Sequence, residues 1–179
     1  MHADLAEILL TESQIQQRLN TLAAEIQRDY DGRELTMIGI LTGSVIFVAD
    51  LLRRLPVPVR LDCVGIASYH GTTVSTGTVT WTKLLQLDVR GRDVLVVDDI
   101  LDTGLTLRHV REAIQQRHPR SLKYAVFLEK DVPRPDGSRA DYVAFKIPNK
   151  FVVGYGLDYQ ERYRNLPYVG VLKPPVAGA

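Results

Sequence analysis

The sequence predicts an α/β protein with a largely parallel sheet. Strand-like apolar runs alternate with amphipathic helical runs through the middle of the chain. The run Val94-Leu-Val-Val97 is apolar throughout, the pattern of a strand buried on both faces. The chain has 179 residues, a length that fits one domain or two small ones.

Each element has its own signal. Residues 11–30 read as an amphipathic helix, because Ile15, Leu19, Leu22 and Ile26 recur at steps of four, three and four. Thr11 with Gln14 forms a capping-box start, and Asp31-Gly32 is a stop. Residues 35–41 read as a strand. A second helix opens at Gly43-Ser44 and runs through Leu55, ahead of Pro56. Residues 58–67 form the next strand. The polar stretch 68–77 reads as a loop, and Thr78–Leu85 is β-rich around Trp81. The short strand 93–97 leads into a helix from about Gly104 to Arg117, with Leu107, Val110 and Ile114 on one face. Tyr124–Leu128 is a strand, and Pro133–Gly137 is a turn-rich loop. Tyr142–Ile147, Lys150–Val153 and Tyr168–Leu172 complete the strands, and Lys173–Ala179 reads as a frayed tail. The chain ends, richer in strand and loop, are expected to form a subdomain over the sheet edge.

Composition narrows the function classes. A chain of this length buries roughly 70% of its unfolded surface without metal or disulfide staples. Cys63 is the single cysteine, so no internal disulfide forms and a reducing, cytoplasmic setting is expected. The balance of 22 Lys+Arg against 21 Asp+Glu argues against a nucleic-acid-coating protein. No apolar run reaches the ~18–20 residues that span a bilayer, and the acidic N-terminus does not read as a signal peptide. The four histidines have no metal-ligand spacing, and Cys63 reads as packing inside a strand.

The stretch from Val94 to Leu107 is the most informative. Asp98 and Asp99 follow the apolar run at its carboxyl end, where open α/β sheets bind ligands. Asp102-Thr103-Gly104-Leu105-Thr106 then leads into a helix N-terminus. Such a loop offers backbone N–H groups, hydroxyls and the positive end of a helix dipole, which suit a phosphate. The paired acids suit a divalent cation or sugar hydroxyls. Together they point to a sugar phosphate with a metal. Asp102 or Thr103 alone would read as a helix N-cap, and either strand-end acid as a solvated charge.

Three look-alikes are set aside. Asp98-Asp99-x-x-Asp102 matches the DDxxD pattern of prenyl-diphosphate synthases, but that pattern lies on a helix and here a strand precedes it. A response-regulator receiver would need a second acid at a strand end about 45 residues on, whereas Asp141 precedes its apolar run. There is no Walker A lysine loop, and Gly154-Tyr-Gly156 lacks the third glycine of a dinucleotide fingerprint.

Residues 94–107 resemble the phosphoribosyl-diphosphate (PRPP) motif of type I phosphoribosyltransferases. The likeness extends along the chain and narrows to the hypoxanthine-guanine branch. It rests on Leu41-Thr-Gly-Ser44, Ser68-Tyr69 with Ser75-Thr-Gly77, Lys130, and Lys150–Tyr159 with Arg164. The resemblance implies a single 1–179 domain: a twisted, mainly parallel sheet flanked by helices, its core about 30–130. A hood would come from the N-terminal segment and about 140–179. It implies transfer of phosphoribose from PRPP to N9 of a 6-oxopurine, with Mg²⁺, in a homodimer or homotetramer.

Roles follow by resemblance, read with the chemistry. The transition state resembles an oxocarbenium ion beside a departing pyrophosphate, and the enzyme must stabilise both. Asp98 and Asp99 hold the ribose hydroxyls, directly or through Mg²⁺. Thr103, Gly104, Leu105 and Thr106 cradle the 5′-phosphate; Leu105, where relatives often carry Lys or another polar residue, contributes only its N–H. Asp102 is the general acid/base at purine N7, a role compatible with an N-cap. Lys130 donates to O6. Phe151 stacks on the base (a core aromatic is the other reading), Lys150 helps position it, and the Val152 backbone reads the ring edge. Asp158 binds a second Mg²⁺ through waters. Arg164 suits pyrophosphate. Thr42 and Gly43 bind pyrophosphate through backbone, Thr42 replacing a lysine common in the family. A cis peptide before Thr42 is a family feature that sequence does not show. Ser68 and Tyr69 close over the site and exclude water.

The implied partners are PRPP and hypoxanthine, guanine or xanthine, which share O6 and differ at C2. Two other readings compete. One is a catalytically weak PRPP-fold regulator that binds RNA or protein; the neutral charge and Asp102 weigh against it. The other keeps the chemistry with uracil or adenine as the base; Lys130 and the 150–158 segment weigh against that.

Overall fold

The computed structural model describes residues 2–68 and 79–173. Its strands are β1 (Leu5–Leu10), β2 (Leu35–Leu41), β3 (Val59–Ser68), β4 (Val79–Lys83), β5 (Asp93–Leu101), β6 (Ser121–Lys130), β7 (Tyr142–Ile147), β8 (Val152–Val153) and β9 (Val169–Leu172). Its helices are α1 (Glu12–Asp29), α2 (Val45–Leu52) and α3 (Leu105–Gln115).

Six strands form the large sheet in the order β4-β3-β2-β5-β6-β7. All its pairings are parallel except β3 with β4. Side chains alternate across a strand, so each central strand feeds two cores. Met37, Leu95 and Val97 point to the face that carries α1 and α2. Ile38, Val94 and Val96 point to the face that carries Leu107, Val110 and Ile114 of α3. Burial on both faces explains why β2 and β5 read as continuous apolar runs. The capping box of α1 is present: Gln14 N–H donates to Thr11 Oγ1, and Thr11 N–H donates to Gln14 Oε1 at 2.8 Å. It sets the start of a helix whose Ile15, Leu19, Leu22 and Ile26 are fully buried.

A second, antiparallel sheet has the order β1-β9-β8. Leu5, Val153 and Leu172 form its small core. The chain ends do form the hood, but its extent differs from the expectation. Helix α1 packs on the large sheet, and β7 belongs to that sheet beside β6. The core layer therefore runs to Ile147 instead of ending near residue 130.

Two local expectations are corrected, and one strand is added to them. Strand β1 carries no sequence signal of its own, because its partner β9 lies some 160 residues away. The strand expected at 93–97 continues through Leu101, since Asp98, Ile100 and Leu101 stay in register with β6. The strand expected at 150–153 is only Val152-Val153. The expected tail beyond Lys173 lies outside the described residues.

Candidate active site

A cleft of about 440 Å³ opens at the carboxyl ends of β2 and β5. It gathers Thr42, Gly43, Asp98, Asp99, the Asp102–Leu107 loop, Asp158 and Arg164. These come from three distant stretches of chain, brought together by the parallel order of the sheet and by the hood.

The floor is the acid pair. Asp98 is 7% exposed, and its Oδ1 accepts the Asp99 N–H at 3.0 Å. Burial, and then the adjacent Asp99 carboxylate, push Asp98 well above the usual carboxylate range. Burial raises Asp99 as well. Two carboxylates forced together in a low-dielectric floor favour a ligand that brings positive charge or hydroxyl donors. Among the described residues no group of three or more His, Cys, Asp or Glu is placed to hold a metal by itself. The donor set fits a cation that arrives with a phosphate ligand and keeps most of its own shell.

The phosphate loop follows. Gly104, at φ 86°, stands at the N-cap of α3, and no side chain caps the helix. The expected N-cap role of Asp102 or Thr103 is therefore not the one adopted. The first N–H groups of α3 take no side-chain acceptor, which suits them to an anion.

The opposite wall is the loop after β2. The Leu41–Thr42 peptide is cis. A Cβ at Gly43 would lie 1.7 Å from Asp99 Oδ2, and one at Gly156 would lie 2.0 Å from the Gly43 carbonyl oxygen. Backbone, loop and acid thus stack with no room for side chains. Arg164 Nη1 donates to the Gly156 carbonyl at 2.8 Å, and its Nη2 lies 2.9 Å from Asp158 Oδ1. Asp158 Oδ2 also accepts the Glu161 N–H.

Among the described residues, the remaining expected site residues do not line this cleft. Lys130 Nζ donates to Asp102 Oδ2 at 2.8 Å, joining β6 to the phosphate loop. Phe151 is 50% exposed, so it is not a core aromatic; it meets Tyr159 edge to face. Val152 is buried in the hood, opposite Val171. Lys150 is not drawn into the cleft: its ammonium pairs with Glu7 of β1. Ser68 enters only as backbone at the end of β3, and Tyr69 with the 75–77 segment lies outside the described residues.

Two residues given no role by the sequence adjoin the site. Tyr155, at φ 51°, donates its hydroxyl to the buried Asp50 of α2 at 2.6 Å. Burial, and then that hydrogen bond, keep the hydroxyl protonated well past its usual range. Arg134 bonds both the phosphate loop and the end of β6. The only sequence signals were a tyrosine between two glycines and an arginine between two prolines.

Comparison with known proteins now separates this site from other phosphate clefts. The phosphoribosyl transferase domain family matches residues 6–160. The hypoxanthine-guanine phosphoribosyltransferase of Staphylococcus aureus (strain Mu50) is 47% identical over 176 residues, covering 98% of each chain. The chain belongs to the hypoxanthine-guanine phosphoribosyltransferase family. A solved hypoxanthine phosphoribosyltransferase from Staphylococcus aureus superposes with a TM-score of 0.93 at 47% identity, over 98% of this chain and 96% of that one. The Trypanosoma cruzi hypoxanthine phosphoribosyl transferase superposes with a TM-score of 0.93 at 38% identity, over 99% and 96%. The fold is the type I phosphoribosyltransferase fold, and the chain is a transferase of that family. Among the described residues no helix is long and apolar enough to cross a membrane.

Proposed function

We propose that this chain salvages 6-oxopurines, transferring the 5-phosphoribosyl group of PRPP to N9 of hypoxanthine or guanine. The products are IMP or GMP and pyrophosphate. The observation that carries the reading is the pair Asp102 and Lys130, 2.8 Å apart beside the phosphate loop. A 6-oxopurine presents N7 and O6 side by side on one edge. Asp102 accepts the N7 proton and Lys130 donates to O6, so one acceptor and one donor read adjacent atoms. Adenine offers an amine where O6 stands and would meet the Lys130 ammonium donor to donor.

The reaction balances on these groups. The N9 lone pair forms the bond to C1′ as the C1′–O bond to pyrophosphate breaks, and the pyrophosphate keeps the bonding electrons. The N7 proton passes to Asp102, which keeps N9 nucleophilic through the transition state. Thr103, Gly104, Leu105 and Thr106 hold the 5′-phosphate, chiefly through N–H groups at the start of α3. Arg164 and the Thr42-Gly43 backbone take the pyrophosphate. Phe151, 50% exposed, stacks on the base, with the Val152 backbone at its edge, while Lys150 is paired with Glu7 instead. Ser68 and Tyr69 cover the site and keep water from the ribosyl cation.

Asp98 and Asp99 would hold the ribose hydroxyls and a substrate-borne Mg²⁺, and Asp158 would hold a second. When bound, Mg²⁺ neutralises the diphosphate and makes it a better leaving group. The proposed setting is the cytoplasm, and the proposed assembly is a homodimer or homotetramer.

The test is pyrophosphate release from PRPP and Mg²⁺ with a panel of bases. Turnover is expected with hypoxanthine or guanine, and far less with adenine or uracil; xanthine ranks the C2 pocket. Silence with all three oxopurines overturns the proposal, above all if the protein instead binds RNA tightly.

A further inference from the structure

We infer that Arg134 is a positioning residue that locks Asp102 and Lys130 at the spacing of two neighbouring purine atoms. The inference rests on the reading of those two residues given above and adds a residue to which that reading assigns nothing. Arg134 Nε donates to the Asp102 carbonyl at 2.8 Å. Its Nη2 donates to the carbonyls of Leu101 at 3.2 Å and Lys130 at 2.6 Å. Its Nη1 reaches Glu129 Oε1 at 3.0 Å. One guanidinium therefore binds the backbone of both base-facing residues.

Its place in the sheet explains why this matters. Leu101 and Glu129 are the last register pair between β5 and β6. Asp102 directly follows β5 and Lys130 ends β6, each one residue past that register. Arg134 spans the gap with a planar fork of donors, which a lysine cannot reproduce. Its side chain is only 12% exposed and Glu129 only 15%, so these bonds are shielded from water. Arg134 spends its donors on three backbone carbonyls and the Glu129 carboxylate, so it acts through Asp102 and Lys130 and not on the substrate.

The loop that carries it is built as a brace. Pro133 and Pro135 flank Arg134 and restrict the backbone before folding. At the far end of the loop, Ser138 is buried, and a Cβ at Gly104 would lie 2.6 Å from Ser138 Cβ. The loop thus touches the phosphate loop twice, at the Asp102 carbonyl and behind Gly104. The turn-rich segment 133–137 becomes the back support of the site.

The test uses the full chain with Arg134→Gln, Arg134→Lys and Glu129→Gln, with kcat and KM for PRPP and hypoxanthine, calorimetric binding of Mg²⁺–PRPP, and thermal melting. Catalysis is sensitive to misplacement on the scale of 1 Å, so kcat for Arg134→Gln is expected to fall about 10–100-fold. PRPP affinity is expected to stay within about threefold, and Arg134→Lys to recover only part of the loss. In a Lys130→Met background, where the spacing no longer matters, the same Gln change is expected to cost under about threefold. A merely structural role would lower the melting temperature, leave kcat per folded molecule within about twofold, and add to Lys130→Met. That outcome overturns the inference. If Arg134→Gln does not fold, Glu129→Gln decides: a fall in kcat of about two- to fivefold supports the brace, and none overturns it. A wild-type chain that turns over oxopurines while the variants match it removes the brace alone; a wild type without turnover removes the function reading and the brace together.

Discussion

Lys130 Nζ and Asp102 Oδ2 stand 2.8 Å apart, joining the end of one strand to the loop after another. Twenty-eight residues separate them in sequence. Without a base they satisfy each other, and a 6-oxopurine would part them onto O6 and N7. Replacing either one should therefore hurt different quantities. Asp102→Asn is expected to lower kcat by about 10²–10⁴-fold while PRPP affinity changes little. Lys130→Met is expected to cost on the order of ten- to a hundredfold in kcat/KM for hypoxanthine, the worth of one charged hydrogen bond. Steady-state kinetics with calorimetric PRPP binding separates them; equal losses in kcat and PRPP affinity for Asp102→Asn would mark it as a mere loop-former.

Asp98 illustrates a site kept at the expense of the fold. Its carboxyl is held above the usual range by burial and by Asp99. A carboxylate with a raised folded value contributes stability at low pH and loses it as pH rises. Asp98→Asn removes that cost, so the ligand-free protein is expected to melt about 2–4 °C higher at pH 7. The gain should vanish below about pH 4, where both forms are neutral. Binding of Mg²⁺–PRPP by the variant should weaken. A lower melting temperature at pH 7 would contradict the argument.

Tyr155→Phe tests the strut beneath the pyrophosphate loop. The hydroxyl donates to Asp50, a carboxylate 8% exposed and also paired with Arg53 and Arg54. Burial opposes ionisation of Asp50, but the Tyr155 and Arg53 hydrogen bonds outweigh it and hold it below its usual range. Loss of one buried partner costs about 1–3 kcal/mol. Melting should fall by several degrees, and KM for PRPP should rise because Gly156 seats against Gly43. A stable variant with unchanged KM would show the strut to be idle.

Asp62 predicts an acid limb of stability. Burial works against its ionisation, yet Lys83 and the N–H groups of Leu87, Gln86 and Cys63 hold its carboxyl at about 2, below the ordinary 3.8. A depressed value contributes stability above the unfolded value and loses it as pH falls through the folded one. Asp62→Asn is expected to destabilise by on the order of 1–2 kcal/mol at pH 7. The difference should close between about pH 4 and pH 2, followed by urea melts. The bonds clamp the base of the β3–β4 pair that frames the expected closing loop. A pH-independent difference would rule out the charge as its source.

Local signals determined much of this protein. The capping box at Thr11, the α1 periodicity and the apolar runs of β2 and β5 were legible because each element carries its own burial pattern. The order of acids, threonines and glycine at 98–106, with Lys130 and Arg164, marked the family and its chemistry. Other features needed the tertiary structure. β1 exists only because β9 offers it an edge, and the strand through Asp98 and Asp99 persists only because β6 pairs with it. Lys150 looked like a base-facing residue, but Glu7 across the hood holds it. Arg134 and Tyr155 gave no signal, since their work is to bond backbone and carboxylates that approach only after folding. Sequence reports what a residue is and how often its type recurs; hydrogen bonds between distant segments depend on which strands become neighbours, and that is decided by burial of the whole sheet.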